Sequence, residues 1–306
     1  MTTRPARYLL PYAPDAIGGL PADLDALVWD GDGPRPGAAE LRDVEFFCLP
    51  YFRHPVALPL LAQLPALRVV QTLTAGMDDV LPHVPSGVTA CNARGLHDAS
   101  TAELAVTLTL ASLRGVPHFT RLQDQGRWQQ EFHQSLADKT VLILGYGSIG
   151  RALAARLQPF ECDVVRVARR ARPEEEVHGA HELADLLPSA DVVVLLTPLT
   201  PESRHLVDAG FLARMKDGAL LVNVARGPVV DTDALLKELT DGRLHAALDV
   251  TDPEPLPADH PLWHAPGTLI TPHVGGPSSA FLPRAKRLLR EQVLRYERGE
   301  VLANVV

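Results

Sequence analysis

Cysteine is scarce. Cys48, Cys91 and Cys162 are the only three in 306 residues. They are far apart, form no CxxC pair and leave one thiol over, so structural disulfides are not expected and a reducing cytoplasm is the default compartment. No apolar run approaches the ~20 residues of a membrane span. The opening MTTRPARYLLPYAP has prolines where a signal peptide needs an unbroken apolar core. Positive charge is not in excess either: the formal net charge of −8 argues against nucleic-acid binding and docking on anionic membranes. No metal is expected. His178 and His181 stand beside Glu174 to Glu176 on a surface segment, and Pro261 spoils the i,i+4 geometry of His260 and His264. Aromatics make up 5% of the chain; Tyr51, Phe52 and Trp128 read as packing residues, with Tyr51 and Phe52 also open to lining a pocket.

What is present is the balance of a globular enzyme, 46% hydrophobic and 22% charged, at a length natural for two domains. The first hundred residues alternate β-like runs (RYLLPY, LDALVWDG, VEFFCLP, ALRVVQTL, GVTACN) with turns and one helical connection, HPVALPLLAQLP. That alternation predicts a parallel α/β domain. STAELAVTLTLASL, residues 100 to 113, predicts a buried helix opened by a capping box of Ser100 and Glu103. A second α/β unit begins at KTVLILGYGSIG and continues through DVVRVA, ADVVVLL, GALLVNVA, HAALDV and GTLITPH. These near-continuous apolar runs are what parallel strands covered on both faces require. The last segment, FLPRAKRLLREQVLRYERGEVLANVV, predicts an amphipathic helix whose arginines interleave with Glu291, Glu297 and Glu300 as a solvated face.

GYGSIG, residues 145 to 150, lies between an apolar strand and a helix, the setting of a dinucleotide-binding turn. Gly145 permits the tight turn, Gly147 lets a pyrophosphate approach the backbone, and Gly150 allows close helix–strand packing. The amides around Ser148 and Ile149 would face the phosphates with the helix dipole behind them. The carboxylate that holds the ribose hydroxyls of NAD is missing: Ala168 occupies its place, followed by Arg169 and Arg170. Absent repulsion and added cations together predict NADPH as the preferred cofactor, with NAD possible. Arg226, Asp249, Glu254 and His273 each follow a strand, where ligands bind in open parallel sheets. A protonated His can neutralise the oxyanion formed when hydride attacks a ketone, a carboxylate can hold its tautomer, and a guanidinium can clamp a substrate carboxylate with two parallel donors. The set suits reduction of a 2-oxo acid.

These residues resemble the D-isomer-specific 2-hydroxyacid dehydrogenases, most closely the NADP-preferring glyoxylate/hydroxypyruvate reductases. The likeness covers nearly the whole chain, through GYGSIG, TPLTPESRHLV, MKDGALLVNVARGPVVDTDAL, LDVTDPEPLP and TPHVGG. It implies two doubly wound parallel-sheet domains, a Rossmann cofactor domain at residues 98–280 inserted in a flavodoxin-like substrate domain at 1–97 plus 281–306. It implies Arg226 as the substrate clamp, Glu254 as partner of the acid and His273 as the acid/base. The amides of Ala75 and Gly76, in LTAGMDDV, resemble those that receive the substrate carboxylate. Asp249 resembles the residue that meets the nicotinamide carboxamide, while Thr197, Pro198, Val224, Ala225, Gly275 and Gly276 stand at cofactor-contacting positions. Leu196 departs from the pattern, replacing a residue that is polar in many members. A homodimer through the cofactor domain is implied as well. Two other activities stay open: a phosphite- or formate-type dehydrogenase, against which Glu254 argues in the formate case because those enzymes carry an amide there, and a nucleotide-sensing corepressor-like binding protein.

Overall fold

The computed structural model describes residues 6–306, so the first five residues of the proline-broken opening stretch lie outside it. The chain divides into two compact units. One takes the chain up to His97 together with Ser279–Val306, and the other is Asp98–Ser278.

In the first unit the short apolar runs become β1 (Arg7–Leu10), β2 (Ala26–Val28), β3 (Val44–Cys48), β4 (Val69–Gln71) and β5 (Thr89–Cys91). Among the described residues they form one all-parallel sheet in the order β2-β1-β3-β4-β5, a flavodoxin-like winding. The connections carry α1 (Pro14–Ile17), α2 (Ala38–Leu41) and α3 (His54–Leu61). Leu9, Phe47 and Val70 turn to one face of the sheet, against Leu60 and Leu61 of α3. Tyr8, Phe46 and Val69 turn to the other, where the terminal helix packs its Ala285, Leu289 and Val293. Fully burying side chains of this size stabilises by about 1.5–3 kcal/mol each. That stripe therefore docks the helix on this sheet and leaves its arginines outward. A buried amide pair fixes the attachment: Gln292 donates to Gln71 Oε1 at 2.7 Å and to the Ala303 carbonyl at 2.9 Å.

The second unit begins with α4 (Asp98–Leu113) and α5 (Val116–Asp124), followed by β6 (Thr140–Leu144), α6 (Ser148–Leu157), β7 (Asp163–Ala168) and β8 (Val177–Gly179). It continues with α7 (Leu183–Leu186), β9 (Val192–Leu195), α8 (Ala209–Arg214), β10 (Leu220–Asn223), α9 (Thr232–Thr240), β11 (His245–Leu248) and β12 (Thr268–Ile270); the terminal helix of the first unit is α10 (Phe281–Glu297). The strands form a parallel sheet in the order β12-β11-β10-β9-β6-β7-β8, winding outward in both directions from β6. The sequence passes over β8, whose three residues Val-His-Gly are too short for a periodic signal. Helix α4 starts at Asp98, two residues before the expected cap, so Ser100 lies within its first turn and the Ser100–Glu103 capping box is not the start. Trp128 does not pack within the chain: it is 94% exposed, on the irregular segment after α5 that also exposes Phe132. No helix among the described residues is long and apolar enough to cross a membrane.

Candidate active site

Every parallel strand of the second unit ends at the same edge of its sheet, and the residues singled out in the sequence follow those ends. At the β6 end Gly145 adopts φ +111°, and a Cβ there would sit 2.5 Å from the Leu196 carbonyl carbon. A Cβ on Gly150 would sit 2.8 Å from the Gly145 carbonyl oxygen. Both glycines are thus required by close approach of backbone to backbone. Gly147 differs, because nothing lies within 4 Å of its ideal Cβ. It is also the N-cap of α6 and brings no side chain to its amides. The first-turn N–H groups of Ser148 and Ile149 have no intrahelical acceptor and the dipole lies behind them, so with Gly147 leaving room beside them they make a cradle that fits a pyrophosphate. Ser148 is held in place by donating its hydroxyl to Asp98 Oδ1 at 3.0 Å, a tie from α4 that sequence reasoning missed. Thr197 closes the β9 side, its hydroxyl donating to the Leu144 carbonyl at 3.2 Å.

Ala168 ends β7, and Arg169 and Arg170 follow it, both exposed. Neither makes a hydrogen bond or ion pair among the described residues. Arg169 acts only at a distance, adding to the Thr200 hydrogen bond that holds the Glu202 carboxyl below its usual range. The neighbouring arginines are engaged: Arg172 donates to the Tyr146 carbonyl at 2.9 Å, Arg166 to the Glu175 carbonyl at 3.1 Å, and Arg151 pairs with the Glu175 carboxylate. The Tyr146 ring has the guanidinium carbons of all three within 5.3 to 5.9 Å. The cation cluster therefore has a structural half and an uncommitted half, and Arg169 and Arg170 are the latter.

On the other side of β6, the end of β10 presents Arg226. Buried Asn223 builds its loop, donating to the Arg226 carbonyl at 2.9 Å and accepting from the Ala225 amide at 3.0 Å. The sequence did hold a signal for this residue, because a lone amide in an apolar strand must find partners when buried. Gly227 follows, and a Cβ on it would lie 1.9 Å from the Thr251 carbonyl oxygen. Only glycine lets the β10 and β11 loops come this close. The β11 loop carries Glu254, whose Oε1 lies 2.6 Å from His273 Nδ1, beyond β12. Burial pushes the Glu254 carboxyl up, but the His273 hydrogen bond and charge, the charge of Arg226 and a Thr251 backbone hydrogen bond outweigh it. The net result is a carboxyl below its ordinary range. Arg226, Glu254 and His273 are thus brought together.

Asp249 is 2% exposed and both of its oxygens are occupied. Oδ1 accepts from the Thr271 hydroxyl at 2.6 Å and the Val274 amide at 2.8 Å; Oδ2 accepts from the Gly275 amide at 2.8 Å. Its carbonyl accepts from the His273 amide at 2.7 Å. His273 itself sits at φ +52°, a left-handed conformation that costs a non-glycine residue roughly 1–3 kcal/mol. Asp249 therefore holds the strained loop that aims His273, a contact set the sequence does not reveal. Val224 is buried, Ala225 and Gly276 are half-buried, and Pro198 is exposed along the same strand ends. In the first unit, Ala75 and Gly76 are half-buried in the loop after β4, where Asn92 donates to the Ala75 carbonyl at 3.2 Å and Thr74 to that of Gly76 at 2.9 Å. His178, set aside as a metal ligand, pairs with Glu182 at 2.7 Å.

Residues 106–275 match the family model for the D-isomer specific 2-hydroxyacid dehydrogenase, NAD binding domain. Glyoxylate reductase of Aeropyrum pernix is 33% identical over 96% of this chain and 92% of its own length. A D-isomer specific 2-hydroxyacid dehydrogenase from Xanthobacter autotrophicus Py2, solved with NADPH and MES, superposes with a TM-score of 0.82 at 31% identity, covering 99% of this chain and 98% of that one. An NADPH-dependent glyoxylate/hydroxypyruvate reductase from Sinorhizobium meliloti, solved with NADP and sulfate, gives 0.84 at 25% identity, covering 99% and 98%. With a dinucleotide cradle, an arginine and a carboxylate–histidine pair at the strand ends, the chain belongs to the D-isomer-specific 2-hydroxyacid dehydrogenase family.

Proposed function

We propose that the protein reduces a small 2-oxo acid of the glyoxylate or hydroxypyruvate type to the D-2-hydroxy acid, preferring NADPH to NADH. The observation that carries this reading is the His273–Glu254 hydrogen bond of 2.6 Å, with the charge of Arg226 beside it. When bound, the nicotinamide cofactor supplies a hydride to the substrate carbonyl carbon. The Arg226 guanidinium holds the substrate with paired planar donors, and the Ala75 and Gly76 amides receive its carboxylate. Glu254 occupies Nδ1 of His273 and so leaves Nε2 to give a proton to the carbonyl oxygen as it turns into an alkoxide. The reaction consumes one 2-oxo acid, one hydride and one proton and releases the hydroxy acid and the oxidised cofactor. Ser148, Ile149 and Gly147 take the pyrophosphate, and Arg169 and Arg170 take the 2′-phosphate that an acidic residue at position 168 would repel. The amide-free acid pair favours this chemistry over a formate-type reaction. The chain is further proposed to act as a homodimer through the second unit.

The test is oxidation of NADPH and of NADH, each against a panel of 2-oxo acids, in wild type and in His273→Asn. Wild type should turn over glyoxylate or hydroxypyruvate, with higher kcat/KM for NADPH. His273→Asn should keep cofactor binding and lose about 10²- to 10⁴-fold in turnover, the usual worth of a positioned acid. Binding of cofactor without turnover of any 2-oxo acid would favour a corepressor-like protein, and turnover of phosphite alone the other dehydrogenase.

A further inference from the structure

One ionisable pair with a buried histidine plays no part in the chemistry described so far. His54, the first residue of α3, is buried, and its Nδ1 lies 2.6 Å from Asp79 Oδ2. Its Nε2 is buried with no hydrogen-bond partner among the described residues. An N–H there would have no acceptor, so the hydrogen sits on Nδ1 and is donated to Asp79. Asp79 belongs to the segment after β4 that presents Ala75 and Gly76. The rest of that segment is held by its own turns and by Asn92, which follows β5. Thr72 donates to the Thr74 carbonyl at 2.9 Å, Asn92 to that of Ala75, and buried Met77 accepts the Val80 and Leu81 amides at 3.0 and 2.9 Å. The histidine adds a tie from a different element. It joins the outer end of the segment, four residues past Ala75, to the start of a helix whose Leu60 and Leu61 are locked in the core.

We propose that His54, acting through Asp79, is a positioning residue for substrate: it holds the 72–80 segment in the conformation that presents the Ala75 and Gly76 amides. This rests on the assignment of those amides to the substrate carboxylate. A segment that samples other conformers is binding-competent for only part of the time, which raises the apparent dissociation constant by the inverse of that fraction. Chemistry after binding depends on Arg226, Glu254 and His273, and is left alone. The signature is accordingly a rise in KM at constant kcat.

The experiment compares wild type with His54→Phe, which keeps an aromatic ring and loses the donor, and His54→Asn, which restores a donor near the Nδ1 position. His54→Phe should raise KM for glyoxylate about 5- to 10-fold, with kcat and the NADPH Kd within about twofold. His54→Asn should recover most of the loss. Asp79→Asn, altering a side chain that is 52% exposed, should act in the same direction. Combined with His54→Phe it should give less than the sum of the two single losses, as expected of two partners in one contact. It also carries the test should His54→Phe fail to fold. Amide hydrogen exchange over residues 72–80 should quicken in His54→Phe and Asp79→Asn and stay unchanged elsewhere. KM within twofold of wild type in both variants, or equal losses in His54→Phe and His54→Asn, would overturn the proposal. If wild type reduces no 2-oxo acid, the substrate reading falls instead. Exchange then decides the strut alone, and unaltered protection of 72–80 ends it.

Discussion

At the scale of single residues, the site is built from side chains that bond to backbone. Asn223 and Asp249 are both buried, and each spends its polar atoms shaping the loop that carries a chemical group, Arg226 or His273. Three charge-assisted bonds to Asp249 offset the strain of His273. The Glu254 carboxyl offers a check that depends on pH. Its folded-state pKa is depressed, so the stability it contributes is present above the unfolded value near 4.3 and is lost as pH falls through the lower folded value. Urea midpoints of wild type and Glu254→Gln should therefore differ most at neutral pH and converge on acidification below the ordinary carboxylate range. A gap that widened in acid would reverse the sign and remove the His273 pair as the cause. Turnover of Glu254→Gln at neutral pH should fall as well, because an amide cannot supply the carboxylate's charge beside the acid.

At the scale of elements, the informative feature is where β7 stops. Arg166 points back into the cluster around Tyr146 and Glu175, whereas Ala168 ends the strand and releases Arg169 and Arg170 to solvent. The run of arginines looks uniform in sequence, yet the fold divides it into bound and unbound members. Ala168→Asp combined with Arg169→Ala should shift preference towards NADH, chiefly by raising the KM for NADPH. Equal kcat/KM for the two cofactors in wild type, measured by steady-state kinetics, would end this reading and leave the family assignment standing. The strands that carry these residues were legible because continuous apolar runs mark buried parallel strands. Edge strand β8 was not, and neither was the true start of α4, where Asp98 already lies in the helix and takes the Ser148 hydroxyl.

At the scale of the whole molecule, the second unit carries an apolar surface that asks for a partner. Trp128 and Phe132 are almost completely exposed on the segment after α5, and Trp263 is 44% exposed beside it. An open groove of about 860 Å³ is lined by Phe132 and Trp263 together with Leu113 and Leu269, and by polar residues that include His118 and Arg121. Arm and groove on one unit suit a two-fold exchange, in which the same patch serves both copies. Light scattering on a sizing column should show a dimer for wild type and a monomer, or a strongly concentration-dependent mixture, for Trp128→Ser with Phe132→Ser. A monomeric wild type would remove the dimer proposal.

The sequence by itself determined the kinds of elements, the winding class and the family, because these rest on local patterns: apolar runs, a glycine turn between strand and helix, and the stretches around Arg226, Glu254 and His273. It also held the absence of a carboxylate at position 168, since that needs only a count from the glycines. What the tertiary structure alone decided is which polar groups meet. Ser148 with Asp98, Asn223 with the Arg226 loop, Asp249 with Thr271 and His54 with Asp79 lie anywhere from 3 to 50 residues apart in the chain. No periodicity encodes such pairings. They follow from burial, which forces each polar atom to find a partner wherever the packed strands and helices bring one within reach.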